Sequence, residues 1–469
     1  MTRELQSWGR FPRATRQSAR PIVWQTDRLP ADAGPLLPYG QGRSYGDSCL
    51  NEGGTLLTTG TLDRLLGFDA ATGVVRCEAG VTLDTLLRLA APRGWFLPVS
   101  PGTKFVSVGG AIANDIHGKN HHRAGTFGRY VRRFELLRSD GSRRVCSPEE
   151  HPDWYEATIG GLGLTGLILW AEVQLRPIHN PFVLSEAVPV ENLDGFFAVS
   201  RESEADHEFT VAWIDSLARG RRVGRGVFFR GNFAPPQLDG LPLVKSHLSH
   251  GSALAVPFDM PGFSLNRLSV AAFNWLYRRM QLRHEGPRLQ HYDPFFYPLD
   301  GVHRWNRIYG RRGFLQFQCV VPHATARDAL REILERSARE VPSFLTVLKT
   351  FGDVPSPGWL SFPRPGATLA LDFANRGERT WRLVAELDRV TREAGGAVYP
   401  AKDSRMSSES FAAYFPKLER FKPYVDPAFS SSFWRRVTGA PSEQPSSLSL
   451  GEARGEGAPL PATSLSTSL

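Results

Sequence analysis

The chain has few cysteines, and they lie far apart. Only four of its 469 residues are cysteine, and no two of them form a Cys-x-x-Cys pair: Cys49, Cys77, Cys146 and Cys319. Disulfide frameworks and structural zinc modules are built from closely spaced cysteines. The sequence therefore argues against both classes of protein and suits a reducing compartment.

Long apolar runs are lacking as well. Residues 1–17, MTRELQSWGRFPRATRQ, hold no apolar segment of the kind found in signal peptides. No apolar run reaches the roughly 20 residues that a transmembrane helix needs. We therefore expect a protein without a signal peptide or transmembrane segment, located in the cytoplasm or peripherally at the inner membrane.

Basic blocks are absent although the chain is basic overall. Arginine and lysine together number 56 against 47 acidic residues, a net charge of +9, but the positive residues are scattered. This pattern argues against nucleic-acid binding and leaves an anionic cofactor, a phosphorylated substrate or an anionic membrane surface as partners. Only seven of the positive residues are lysines, so each marks a position where arginine is not an equivalent.

Two common catalytic motifs are missing, and glycine-rich loops are present instead. Neither a G-x-S-x-G elbow nor a Walker A sequence occurs, which leaves hydrolase and P-loop functions without support. Glycines cluster at 40–46, 102–128 and 160–166. The G-x-G at 40–42 is not followed by a helical pattern, so it lacks the context of a Rossmann fingerprint.

The stretch 100–128, SPGTKFVSVGGAIANDIHGKNHHRAGTFG, combines small residues with three histidines, two lysines and an aspartate. Small residues allow close backbone approach, and successive amides can bind an anion such as a pyrophosphate. The alternative is a tight buried crossover in which Gly109 and Gly110 serve packing alone.

Histidines and aspartates of these loops each allow two interpretations. His117, His121 and His122 have a spacing that could hold a metal, but no third carboxylate ligand is evident, and we predict none. Asp47 and Asp115 could form an acid–base pair, or each could cap a loop amide.

Lys402 also allows two interpretations. It follows an apolar run, 397–401, and precedes Asp403. A partly desolvated lysine could serve as a base or proton shuttle. The alternative is a salt bridge to Asp403 or to another surface carboxylate.

Hydrophobic periodicity predicts secondary structure in both halves of the chain. Helices are expected at 82–91, 326–339 and 379–394, strands at 209–214, 226–229, 314–321, 344–350 and 368–373, and a hairpin at 134–138 and 143–146. The basic and aromatic stretch 254–283 fits either a membrane surface or a helix beneath a loop. From residue 439 onward the composition predicts a disordered tail.

Six segments together resemble the flavin-dependent oxidoreductases of the vanillyl-alcohol-oxidase superfamily, with a PCMH-type FAD-binding fold. Within it the chain is similar to the family of decaprenylphosphoryl-β-D-ribose 2-oxidases. The segments are GQGRSYGDS (40–48), PGTKFVSVGGAIANDIHGKNHHRAGTFG (101–128), GGLGLTGLI (160–168), FLQFQCVVP (314–322), LSFPRPG (360–366) and YPAKDSR (399–405).

The resemblance implies roles for individual residues. Lys402 and His117 are the implied catalytic residues, and Gln316, Gln318, Lys349 and Lys402 the implied substrate contacts. Arg43 stands where superfamily members carry a flavin-linking histidine, which implies non-covalent FAD. The implied FAD contacts are Pro38, Tyr39, Gly40, Gln41, Gly42, Arg43, Ser44, Tyr45, Gly46, Asp47, Ser48, Gly102, Ser107, Val108, Gly109, Gly110, Asn114, Asp115, Ile116, His117, Ile168 and Tyr399.

The resemblance further implies a two-domain α+β fold. The FAD-binding domain would comprise residues 1–180, completed by 395–438, and the substrate domain, 181–394, would be built on an antiparallel sheet flanked by helices. The implied reaction is oxidation of the 2′-hydroxyl of a polyprenyl-phosphoryl pentose to a keto sugar, with a separate short-chain NAD(P)H reductase completing an epimerisation in arabinose and cell-wall biosynthesis. A soluble sugar or alditol oxidase using oxygen is the alternative, and a scaffold without flavin is a third possibility.

Overall fold

The computed structural model describes residues 5–31, 33–237 and 254–439. The N-terminal part of the chain forms a parallel three-stranded sheet of order β1-β3-β2 and an antiparallel five-stranded sheet of order β4-β5-β9-β7-β8, with β6 and β10 as a separate pair. The strands are β1 (Ser18–Pro21), β2 (Leu36–Tyr39), β3 (Thr55–Thr58), β4 (Leu65–Asp69), β5 (Val74–Glu78), β6 (Trp95–Phe96), β7 (Val131–Leu137), β8 (Arg143–Cys146), β9 (Leu167–Gln174) and β10 (Arg176–Pro177).

Short helices join these strands: α1 (Leu83–Ala90), α2 (Val108–Ala113), α3 (His121–Ala124) and α4 (Pro152–Thr158). The prediction of α1 is confirmed. Its apolar residues Leu83, Leu86 and Leu87 are buried, and the Thr82 hydroxyl caps its first turn by accepting the Thr85 amide at 3.2 Å. The predicted β7–β8 hairpin is also confirmed, with Gly141 in its turn at φ +81°.

The second half of the chain is built on one antiparallel eight-stranded sheet of order β15-β11-β13-β12-β18-β19-β17-β20. A small parallel pair, β14 with β16, stands apart from it. The strands are β11 (Phe182–Val190), β12 (Phe209–Ile214), β13 (Gly226–Phe233), β14 (Leu254–Ala255), β15 (Arg288–His291), β16 (Val302–His303), β17 (Phe314–Val321), β18 (Thr346–Phe351), β19 (Gly366–Ala374) and β20 (Ala397–Val398).

The remaining helices are α5 (Leu193–Glu204), α6 (Arg267–Gln281), α7 (Tyr292–Phe296), α8 (His323–Arg339), α9 (Glu378–Glu393), α10 (Ser408–Tyr414), α11 (Leu418–Phe421) and α12 (Ser432–Thr438). In the described ranges, none of the helices is both long and apolar enough to cross a membrane.

Alternation along the central strands separates a packed face from a polar one. On β17, Phe317 and Cys319 join the hydrophobic core that also contains Leu330 of α8 and Leu383 of α9. The intervening residues point to the other face, because successive strand residues alternate. That second face forms a wall of the cavity described below.

The predicted α+β architecture, with an antiparallel sheet flanked by helices, is confirmed. Two strands are longer than predicted. Strand β19 extends beyond 368–373 at both ends, and β13 continues past Phe229, where Arg230 pairs with Glu186 of β11 at 2.8 Å and the ladder extends to Phe233. The segment returning at residue 395 first adds β20 to the large sheet, beside β17. The domain boundaries remain predictions, and residues 440–469 lie outside the described chain.

Candidate active site

A cavity of about 730 Å³ lies against the polar face of the large sheet. Its walls combine the first glycine loop, residues 100–119, the polar positions of β17, β18 and β19, and the segment 399–402. It also reaches Tyr277, Met280 and Gln281 at the C-terminal end of α6. One continuous space thus joins the glycine loops to the polar residues of the sheet and to helix α6 at the surface.

The first glycine loop presents hydrogen-bond donors without protein partners. In the described chain, the main-chain amides of Gly40, Gln41 and Gly42 donate to no protein acceptor, although all three residues line the cavity. The buried hydroxyl of Ser48, also on the cavity wall, has no partner either. Adjacent main-chain amides that face a cavity, beside a buried hydroxyl, form a concave set of donors that suits an anionic ligand such as a phosphate.

The amides at the start of α2 are engaged differently. Val108 donates to the Val81 carbonyl and Gly109 to the Ala79 carbonyl, both at 2.8 Å. For these two amides, therefore, the interpretation in which the stretch 100–128 forms a tightly packed crossover is correct. Gly109 and Gly110 still line the cavity, where the absence of side chains leaves room for a ligand.

The loop before Ser48 contacts the loop that carries Lys402. The Tyr45 amide donates to the Ala401 carbonyl at 2.8 Å, and a Cβ on Gly46 would lie 1.6 Å from the Asp403 carbonyl oxygen. Lys402 Nζ lies 3.6 Å from the centre of the Tyr45 ring, a cation–π arrangement. Glycine at position 46 therefore permits the approach that brings Tyr45 and Lys402 together.

Lys402 is half-buried in the cavity wall, and the carboxylate whose charge acts on it is Asp372, not Asp403. The Asp403 carboxylate bonds Arg436 at 3.0 Å and also accepts the amides of Arg405 and Met406. Burial lowers the pKa of Lys402, and the negative charge of Asp372 partly opposes that shift. A lysine in this environment can exchange its proton near neutral pH, as a base or shuttle requires.

Asp372 is a site residue that the sequence interpretation missed. It lies on β19 directly across from Gln316 of β17, whose side-chain amide donates to its carboxylate, and Tyr309 OH donates to it at 3.5 Å. Burial raises the pKa of Asp372. Nothing in the largely apolar segment TLALDFA (368–374) marks this position, because only strand register places it beside Gln316, where its charge acts on Lys402.

His117 lies beside the polar residues of β17. Gln318 Nε2 donates to His117 Nε2 at 2.9 Å, and the imidazole is kept neutral because burial lowers its pKa well below the ordinary range. A neutral ring that accepts at Nε2 carries its proton at Nδ1. In the described chain that buried Nδ1 has no protein partner, so a ligand in the cavity can accept from it.

The three histidines point to different neighbours. The His121 ring packs on Phe351, with ring centres 4.3 Å apart, and His122 Nε2 contacts the His207 carbonyl at 3.1 Å. Within the described residues, no group of three or more His, Cys, Asp and Glu side chains could hold a metal.

Asp47 and Asp115 do not form an acid–base pair. Asp47 pairs with Arg436 at 2.7 Å, and Arg436 also binds Asp403. Asp115 accepts the Gly128 amide at 2.8 Å and the Ser361 hydroxyl at 2.5 Å. Both carboxylates therefore fix loops behind the cavity wall.

Most of the predicted contacts reach the cavity. Tyr399 is held there by donating its hydroxyl to the Asn114 carbonyl at 2.8 Å. Five predicted residues lie off the wall: Tyr39, Gly46, Asp47, Val108 and Asp115. The predicted residues on the wall are Pro38, Gly40, Gln41, Gly42, Arg43, Ser44, Tyr45, Ser48, Gly102, Ser107, Gly109, Gly110, Asn114, Ile116, His117, Ile168, Gln316, Gln318, Lys349, Tyr399 and Lys402.

Comparisons with known proteins agree with this geometry. Residues 28–147 match the FAD binding domain family. The decaprenylphosphoryl-beta-D-ribose oxidase of Mycolicibacterium smegmatis is 36% identical over 456 residues, which cover 93% of this chain and 97% of that protein. An uncharacterized Streptomyces coelicolor protein is also 36% identical, over 76% of this chain and all of that protein. The human Delta(24)-sterol reductase is 31% identical over 33% of this chain and 30% of its own length.

The residues present fit FAD. The unpartnered amides of residues 40–42 and the Ser48 hydroxyl offer donors for a pyrophosphate, and nothing lies within 4 Å of where a Cβ on Gly102 would project. The matched domain covers the first glycine loop and α2. The chain thus belongs to the decaprenylphosphoryl-β-D-ribose oxidase family and is an FAD-dependent oxidoreductase with a PCMH-type FAD-binding fold.

Proposed function

We propose that this protein oxidises the 2′-hydroxyl of a polyprenyl-phosphoryl pentose to a ketone. The observation that carries the proposal is the cavity, which runs from the glycine loops past Lys402 to the aromatic end of α6. A relative 36% identical over nearly its whole length is named for oxidation of decaprenylphosphoryl-beta-D-ribose. A soluble sugar would need no long apolar extension of the site.

The far end of the cavity suits a lipid chain. Tyr277 and Met280 of α6 line it, and the outward side of the same helix exposes Leu268 (82% exposed) and Trp275 (64% exposed). Large apolar side chains at the surface, interspersed with arginines, are typical of helices that lie on a membrane. We infer that the substrate enters beside α6 from a bilayer with which the protein makes peripheral contact.

The oxidation removes a proton from the hydroxyl oxygen and a hydride from the carbon that bears it. The flavin, when bound, supplies the acceptor for the hydride. Lys402 acts on the other half of the step: a neutral amine accepts the hydroxyl proton, and a protonated one stabilises negative charge on the oxygen. Burial of Lys402 keeps both forms accessible near neutral pH.

The neighbouring residues position Lys402 and the sugar. The Tyr45 ring holds the ammonium group from one side, and Asp372 supplies a compensating charge. Gln316 and Gln318 share the polar face of β17, because they are two residues apart. His117 Nδ1 offers a donor to the substrate's hydroxyl groups.

The FAD is proposed to be non-covalent. The Arg43 guanidinium lies over the Trp8 ring at 4.2 Å, in the loop position where a flavin-linking histidine would stand. Acid precipitation should therefore release FAD into the supernatant, whereas yellow colour retained in the pellet would contradict this part of the proposal.

The keto sugar requires a second enzyme if the pathway is an epimerisation. We propose that a separate short-chain NAD(P)H reductase returns the ketone to an alcohol of inverted configuration. Stereochemical inversion needs the carbonyl product to leave this site, since oxidation and reduction by the same group from one side would restore the starting sugar.

A substrate panel tests the proposal. The holoprotein is mixed anaerobically with polyprenyl-phosphoryl pentoses, free pentoses and alditols, while flavin absorbance is followed. Bleaching confined to the lipid-phosphate sugars, with little hydrogen peroxide formed in air, is expected. Bleaching by free sugars or alditols with stoichiometric peroxide would favour the soluble oxidase instead.

A further inference from the structure

The cavity wall carries an excess of positive charge. One described lining residue is acidic, Asp300, and five are basic: Arg43, Lys119, Arg288, Lys349 and Lys402. The Asp300 carboxylate accepts the Lys104 amide at 2.9 Å. A concave site lined by one sign of charge attracts ligands of the opposite sign.

Lys119 and Lys349 are close neighbours within this wall. Lys349 Nζ donates at 3.3 Å to the carbonyl of Gly118, the residue before Lys119. Lys119 Nζ donates to the carbonyls of Phe295 and Phe296, the latter at 3.3 Å. All of these acceptors are neutral, and in the described chain neither ammonium group has a carboxylate within 4.0 Å.

Two neighbouring, half-buried ammonium groups without a counter-charge are unfavourable. Burial lowers the pKa of Lys119 to about 7, an effect to which the charge of Lys349 adds, and burial lowers the pKa of Lys349 to about 8. A bound anion would offset both the burial and the mutual repulsion. Lys402 differs from this pair because Asp372 already compensates its charge.

We infer that Lys119 and Lys349 form a subsite for the phosphate group of the substrate, separate from the amides of residues 40–42. The inference rests on the proposed function, in which the substrate is a lipid-linked sugar phosphate. A phosphate attached to the sugar must lie a few atoms from the hydroxyl that reacts. Lys349 meets this requirement because it lies near both implied catalytic residues: its positive charge lowers the pKa of His117 and that of Lys402.

The chain offers a matched control for charge. Lys417 is exposed, so Lys417→Gln removes one positive charge away from the cavity. Lys119→Gln and Lys349→Gln remove one charge each from the proposed subsite. Lys349→Met serves as a second variant, because an apolar side chain of similar length requires no hydrogen-bond partner.

Binding to the FAD-loaded protein is measured by calorimetry with two probes, farnesyl phosphate and farnesol, which share a chain and differ in charge. We expect Lys119→Gln, Lys349→Gln and Lys349→Met each to weaken farnesyl phosphate binding about 10- to 100-fold, the effect of losing a charge-assisted hydrogen bond. Farnesol binding, FAD content and the Lys417→Gln control should remain unchanged. Variants that bind farnesyl phosphate as tightly as the wild type, or lose both probes equally, would overturn the subsite.

The same variants separate this inference from the proposed function. If no lipid-phosphoryl pentose reduces the wild-type flavin while the variants still lose farnesyl phosphate selectively, the function is wrong and the phosphate subsite stands. If the lipid-linked pentose reduces the flavin of both Gln variants with an unchanged KM, the function stands and the subsite is refuted.

Discussion

At the scale of single residues, the proposed mechanism depends most on Lys402. Its ammonium nitrogen lies over Tyr45 in a buried site, and burial lowers its pKa. Lys402→Ala should retain FAD, because the glycine loops are unchanged, yet reduce the rate of anaerobic flavin reduction by about 10²- to 10⁴-fold, the range of a lost general base. Stopped-flow absorbance measures this rate.

Lys402→Arg distinguishes the two roles of the side chain. Arginine keeps the positive charge but does not release its proton. Near-normal reduction would show that charge alone suffices, and loss comparable to Lys402→Ala would favour proton transfer. Reduction of Lys402→Ala at the wild-type rate would remove this lysine from the mechanism and direct attention to His117.

Asp372 should set the pH at which Lys402 acts. A neutral amine is the basic form, so the rate of flavin reduction is expected to rise with pH as Lys402 loses its proton. The carboxylate of Asp372 favours the protonated amine. Asp372→Asn should therefore lower the pKa of Lys402 further and move the pH–rate profile down by about 1 to 2 units.

The exposed Asp353 provides the control for this shift. Asp353→Asn should leave the profile in place, because it removes the same charge outside the cavity. If the pH–rate profile of flavin reduction does not move in an Asp372→Asn protein that retains its FAD, then Asp372 does not act through Lys402.

The sequence indicates Lys402 and His117 but not Asp372, for a physical reason. Lys402 and His117 lie in loops whose residues form recognisable local patterns. Asp372 interrupts an apolar strand, and its role arises from its register opposite Gln316 on β17. Pairing between strands separated by about fifty residues is set by tertiary packing, which local pattern does not encode.

At the scale of elements, the contact between the first glycine loop and the Lys402 loop is tightly constrained. Gly46→Ala would place a Cβ 1.6 Å from the Asp403 carbonyl oxygen, so the two loops must separate. We expect a loss of about 1–3 kcal/mol in the free energy of unfolding, as for overpacked sites, together with reduced FAD content. Thermal unfolding and flavin absorbance measure both.

Gly60→Ala is the matched control, because nothing lies within 4 Å of its Cβ position. It should leave FAD content unchanged. Equal effects of the two substitutions would mean that the approach of the loops is not what position 46 protects.

Helix α6 and the loop before it should mediate membrane contact. Phe263 and Leu268 are 78% and 82% exposed. Phe263→Ser/Leu268→Ser should weaken co-sedimentation with anionic vesicles about tenfold, since each apolar side chain contributes to burial in the interface. Raised salt should weaken binding further, because nearby arginines contact anionic headgroups.

Leu65→Ser/Leu66→Ser is the control, since both leucines are exposed on β4, away from the cavity. A role for α6 in membrane contact would be contradicted if both double variants bound vesicles equally well. It would also be contradicted if binding did not depend on salt and lipid charge.

Hydrophobic periodicity predicts most of the helices and strands that surround the site, but it predicts fewer of the residues at which they begin and end. The helix at 326–339 is confirmed but begins at His323, where Pro322 precedes the first turn. Periodicity does not predict strand β15, RLQH, because an edge strand with one buried residue shows no alternation. The sequence of 254–283 allows two interpretations. The structure places helix α6 within this stretch, and membrane contact remains a proposal.

At the scale of the whole molecule, the cavity joins parts of the chain that are distant in sequence. The glycine loop near residue 40, the loop at 117–119, the central strands of the large sheet and the segment at 399–402 all line one space. The motifs indicate a flavoprotein, but they do not show that Lys119 belongs to the same wall as Lys349. That arrangement follows from the packing of the loop 118–120 against β18.

The measurement that tests the central claim most directly is anaerobic oxidation of a polyprenyl-phosphoryl ribose, followed by borodeuteride trapping of the product. Flavin absorbance counts the turnovers, and mass spectrometry of the released sugar locates the deuterium. We expect one keto sugar for each flavin reduced, with deuterium on the 2′ carbon. Unbleached flavin, or deuterium on any other carbon, would contradict it.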